Sequence, residues 1–99
     1  MSDILDASGH KMATIGQDGV VYNLAHVRLG HVDDIGNVYD DKAVKVGNYD
    51  GSGFVYEAGR HIGTIHSDGT VYNYENHCVG KVMGDHLESG GAALLLLVR

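Results

Sequence analysis

The chain has no proline, one cysteine and only seven lysines and arginines among its 99 residues. With Cys78 alone, no intrachain disulfide can staple the fold. Thirteen acids against seven bases give a formal charge of −6, and no basic block stands out. Neither nucleic acid nor an anionic membrane surface is therefore expected as a partner. The longest apolar run is AALLLLV, Ala92–Val98, far short of the roughly 20 residues that cross a bilayer as a helix. The opening MSDILDASGH has neither the basic start nor the apolar stretch of a signal peptide. A soluble, cytoplasmic protein is expected, folded as one domain over residues 1–99.

What is present in excess is glycine, 15 residues, and histidine, seven. The glycines follow a repeat. TIGQDGVVYN at 14–23 returns as TIHSDGTVYN at 64–73, seven of ten letters agreeing. VVYN at 20–23 also returns as NVYD, FVYE and TVYN at 37–40, 54–57 and 70–73. RLGHV at 28–32 returns as KVGNY, HIGTI and CVGKV at 45–49, 61–65 and 78–82. An eroded first copy carries DILD at 3–6 and KMATI at 11–15. Five units result, at about 3–19, 20–36, 37–53, 54–69 and 70–84, followed by a tail at 85–99.

Each unit is too short for a helix with connections on both sides, and it is rich in Val, Ile, Tyr and Thr. The repeated glycines Gly19, Gly36, Gly53 and Gly69 fit the left-handed position of a three-residue hairpin loop. That register sets Ile15 against Val21, Val32 against Val38, Tyr49 against Val55 and Ile65 against Val71, so one face is apolar throughout. A lone hairpin is marginal in water, and near-equal repeats tend to close, which also removes exposed edges. The expected fold is all-β: five hairpins of about 17 residues in an up-and-down series, closing into a flower- or barrel-like ring, plus an apolar C-terminal strand. Ala13, Gly30, Gly47, Gly63 and Gly80 share one repeated, inward-facing position, which marks a crowded axis. Tyr22, Tyr39, Tyr56 and Tyr72 are expected on the opposite face, with Met12, Leu29, Val46, Ile62 and Val79 beside them.

The phrase GxIxxDGxVYN…xVGxV, iterated over residues 3–84, resembles the five-fold β-flower domains, which are small bacterial proteins. The resemblance implies the ring fold and no activity. The first unit departs from the pattern with Leu5 for tyrosine and Ala13 for glycine, and GGAALLLLVR lies outside it.

No enzyme is expected, and no catalytic, cofactor-binding or metal-binding residue is assigned. His10, His26, His31, His61, His66, His77 and His86 do not recur at one position, and no HxH or HExxH occurs. They read as solvated loop residues. Asp33, Asp34, Asp40, Asp41 and Asp50 lack the alternation of an EF-hand and read as turn formers. His77 and Cys78 are neighbours on a strand and point to opposite faces. The function expected is that of a small binding or scaffold module that self-associates. The alternative is a small-ligand or metal-binding protein using loop His and Asp at an open end of the ring. Two segments compete to pair with the strand at 79–82. Ile4-Leu5-Asp6 is in phase with the repeat and is expected to close the ring, which leaves Ala92–Val98 as the seam of a two-fold dimer.

Overall fold

The computed structural model describes residues 2–98. The strands are β1 (Ser2–Asp6), β2 (Lys11–Ile15), β3 (Val20–Asn23), β4 (Arg28–Val32) and β5 (Asn37–Asp40). They continue as β6 (Lys45–Tyr49), β7 (Phe54–Glu57), β8 (Arg60–Ile65), β9 (Thr70–Asn73) and β10 (Cys78–Met83). Each pairs antiparallel with its sequence neighbours, and β1 pairs with β10, so the ten strands form a closed barrel. Closure comes from the N-terminus, with Ile4 opposite Val82 and Asp6 opposite Gly80. The expected hairpin register holds: Ile15 faces Val21, Val32 faces Val38, Tyr49 faces Val55 and Ile65 faces Val71. The barrel is short and wide, 30 × 29 × 20 Å.

Both ends are fastened by short polar side chains. At the glycine-turn end, Asp33 Oδ1 accepts the N–H groups of Ile35 and Asn37, and Asp50 Oδ1 those of Ser52 and Phe54. At the loop end, Asp6, Asn23, Asp40 and Asn73 each accept two N–H groups in the same way. This is the Asx capping that makes these residues turn formers. Burial would raise Asp33, but bonds from Asn37, Ile35 and Tyr39 hold its carboxyl below the ordinary aspartate value. Asp68 is lowered by the backbone N–H of Thr70, and Asp6 by that of His10. A carboxylate with a depressed folded-state pKa contributes stability above its unfolded value and loses it as pH falls through the folded one. The melting temperature is therefore expected to fall below about pH 4. Asp33→Asn keeps the turn and should flatten that acid limb in a pH series of thermal melts. An acid profile unchanged by the substitution would contradict the assignment.

The tail is not a strand. Residues Leu87–Ala93 form a helix, α1, which continues through Leu94–Val98 as a π-helical turn. This segment runs inside the barrel, where α1 touches β1, β2, β4, β6, β8 and β10. Ala92 and Ala93 are fully buried, and Leu94, Leu95 and Leu96 are only 3%, 6% and 8% exposed. The physical reason is the interior of a closed barrel, which offers no free sheet edge. A strand there would leave its N–H and C=O groups unpaired among apolar side chains, whereas a helix pairs them internally. A helix apolar on all sides is the form such burial selects. The run Ala92–Val98, expected as an apolar strand at a dimer seam, is instead helical and packed within its own ring, with Leu97 and Val98 half-buried.

The repeated glycines meet the plug one by one. A β-carbon on Gly80 would lie 2.6 Å from Leu94 Cδ2, and one on Gly63 2.6 Å from Leu95 Cδ1. On Gly47 it would lie 2.7 Å from Leu96 Cδ1, and on Gly30 3.1 Å from Leu97 Cδ1. Each plug residue thus addresses the preceding repeat. An α-helix turns once in 3.6 residues, so it would bring the fifth residue past the first. The wider i→i+5 turn spreads successive side chains closer to one per repeat. Continued by one step, the progression would match Val98 to Ala13, the plug residue shorter than leucine and the repeat position that carries a β-carbon. The link to the plug is fixed where the His86 N–H donates to the buried Ser2 Oγ at 2.9 Å.

Candidate functional site

The two ends of the barrel differ. At the glycine-turn end, α1 enters and leaves grooves on either side, of about 570 and 470 Å³, which share Tyr49, His86 and Ser89. Burial first, then the Glu88 and Asp33 carboxylates, push the Tyr49 hydroxyl above its ordinary value. Tyr49 is thus a neutral hydroxyl there, not an activated nucleophile.

At the loop end lies a bowl of about 750 Å³. Its floor is apolar: Leu94 and Leu95 of the plug, with Met12, Ile62 and Val79 of the wall. Its rim is polar: Asp6, Glu57, Arg60, His61, Asn73 and Tyr74. The wall residues come from a repeated irregularity. Opposite β1, β3, β5, β7 and β9, one residue of the following strand has no partner in the register: Met12, Leu29, Val46, Ile62 and Val79. These are β-bulges, which re-aim a side chain. Leu29, Val46, Ile62 and Val79 consequently pack on the core instead of lying with the tyrosines on the outer face. The same bulges leave Lys11, Arg28, Lys45 and His61 exposed.

The histidines are dispersed. His61 is on the bowl's rim, with Nε2 3.2 Å from Thr64 Oγ1 and its ring edge-on to Phe54 at 5.2 Å. His31 stacks on Tyr39 at 4.8 Å, and His66 meets Tyr72 edge-on at 4.6 Å. His86 lies beside α1, and His10, His26 and His77 are in exposed loops. Among the described residues no group of three His, Cys, Asp or Glu side chains is placed to hold a metal. Asp33, Asp40 and Asp50 are taken up by their turns, and Asp34 and Asp41 are exposed. Cys78 is exposed and its thiol points to the Gly80 carbonyl at 3.6 Å.

The arrangement can enclose an apolar body and hydrogen-bond one polar end. None of the bowl's wall or floor was marked as a site by the repeat. The usable signal was polar: strict alternation would aim Lys11, Arg28 and Lys45 into the core, and a bulge is the local remedy. Among the described residues, no helix is long and apolar enough to cross a membrane. No protein-family model, curated protein or solved structure matches the chain.

Proposed function

We propose that this protein is a non-enzymatic binding module that holds a small, largely apolar molecule in the loop-end bowl. The repeat phrase and the five-unit ring support placing it with the five-fold β-flower domains. The observation that carries the binding reading is the bowl itself, about 750 Å³ over Leu94, Leu95, Met12, Ile62 and Val79. Small-molecule sites have this form: roughly 300–1,000 Å³, mostly apolar, with a few convergent polar groups. The dispersal of the histidines and the capping duties of the aspartates favour a binding surface over reaction chemistry.

The test is titration with 8-anilinonaphthalene-1-sulfonate, followed by fluorescence and calorimetry. One dye per chain is expected, with Val79→Glu weakening it at least tenfold while the circular dichroism stays that of the parent. Because loosened proteins also bind this dye, the parent must retain a cooperative melt under the same conditions. No binding, or equal binding to Val79→Glu, would overturn the reading.

A further inference from the structure

The hydrogen-bonding capacity around the bowl is unevenly spent. Several of its acceptors are already engaged. Asp6 Oδ1 takes the N–H groups of Ser8 and His10, both at 2.9 Å, and Oδ2 lies 3.6 Å from His10 Nδ1. Asn73 Oδ1 takes the N–H groups of Glu75 and His77 at 2.9 and 3.0 Å. Glu57 has a partner of its own. The donors are another matter. Among the described residues, no hydrogen bond or ion pair takes up the Arg60 guanidinium, the Tyr74 hydroxyl or the Asn73 amide N–H groups. Arg60 and Tyr74 are exposed, so these donors stand in water at the rim.

We infer that the bowl's ligand carries one oxyanion head, a carboxylate or its equivalent, on an apolar body, and that Arg60 receives that head. The inference rests on the binding reading above. A guanidinium offers five N–H donors in a planar fork, matched to the two oxygens of a carboxylate, and it does not lose its charge. A cationic head would be drawn to the Asp6 and Glu57 carboxylates, but Asp6 Oδ1 is capped by two N–H groups, and the head would meet Arg60 as a like charge and leave its fork unused. A neutral alcohol would satisfy one donor and leave the fork in water. The bowl's floor supplies the complement, since Leu94, Leu95, Ile62 and Val79 have no polar side-chain atoms to pair. The ligand is a free amphiphile small enough for one bowl.

The experiment compares decanoate, 1-decanol and decyltrimethylammonium, each below its aggregation limit, by calorimetry on the full chain. Decanoate is expected to bind at least tenfold more tightly than either of the others. Arg60→Gln should remove that advantage and leave decanol unchanged, and Arg60→Lys should restore part of it. Decanoate affinity should also fall as salt is raised. Binding of all three with equal affinity, or no effect of Arg60→Gln, overturns the oxyanion assignment and leaves the bowl as an apolar site. Binding of none overturns both. Pelleting with phosphatidylglycerol vesicles in place of decanoate binding would overturn the free-amphiphile assignment.

Discussion

Cutting the chain after Gly90 is expected to abolish the cooperative fold, not to release a well-folded ring. The cut removes Ala92 and Ala93, fully buried, and Leu94, Leu95 and Leu96, none more than 8% exposed. Reducing one such leucine to alanine costs about 2–5 kcal/mol in a core that cannot collapse. Three or more together are comparable to the total of about 5–15 kcal/mol that holds a small domain. The barrel wall cannot collapse inward to fill the space, because its strands are already paired all round. Loss of near-UV circular dichroism and of a sigmoidal urea transition is the expected result. Adding back a peptide of residues 91–98 should restore part of the signal. A truncated chain that melts cooperatively at the parent's temperature would show that the plug is dispensable and that the barrel is stabilised by its wall alone.

The ring was legible because it is written five times. The hairpin register could be checked at four turns at once, and each check kept Val21, Val38, Val55 and Val71 on one face. Closure by Ile4 and Leu5 was legible for the same reason, since they fall in phase with the repeat. The plug was not. AALLLLV has no period of 2 or 3.6, so pattern alone does not separate a buried strand from a buried helix. What settles it is topological: once the ring is closed there is no edge left for a strand to join. The glycine ring had already recorded the answer from the other side. Four glycines and an alanine at one inward position leave room that must be filled from the axis, and the chain contains four leucines and a valine in a row.

The bowl was less legible than the fold. Its floor depends on the plug, and its wall on bulges that reverse the facing of Met12, Ile62 and Val79. A period of 2 carried through β2, β4, β6, β8 and β10 assigns those residues to the outside. Only the inward aim it gives to Lys11, Arg28 and Lys45 betrays the error. The rim is harder still. Arg60 and Tyr74 are ordinary exposed residues by sequence. They become distinctive when the turn capping of Asp6 and Asn73 is known and the remaining donors can be counted. Asp33, Asp40 and Asp50 cap their turns as the sequence reading expected, and the same capping by Asp6 and Asn73 is what leaves the rim rich in donors.

Gly63→Val is expected to be strongly destabilising. A β-carbon at this position would lie 2.5 Å from the Tyr72 carbonyl oxygen and 2.6 Å from Leu95 Cδ1. The leucine is the flexible end of a side chain and can rotate. The carbonyl belongs to β9, whose pairing with β8 sets Gly63 opposite Asn73 and Thr64 opposite Tyr72, so it moves only if the ladder moves. Overpacking alone costs about 1–3 kcal/mol, and displacement of the ladder adds to it. The two obstacles can be separated by a double-mutant cycle with Leu95→Ala. Truncating the leucine should recover part of the loss, and the remainder measures the carbonyl. Ala13→Gly, the reverse change at the equivalent position of the first unit, should cost only about 0.5–1 kcal/mol, chiefly in backbone entropy. Urea unfolding of the four variants reads all of these terms. If Gly63→Val unfolds at the parent's midpoint, the axis is not crowded, and the one-to-one match of leucine to glycine is a coincidence of sequence.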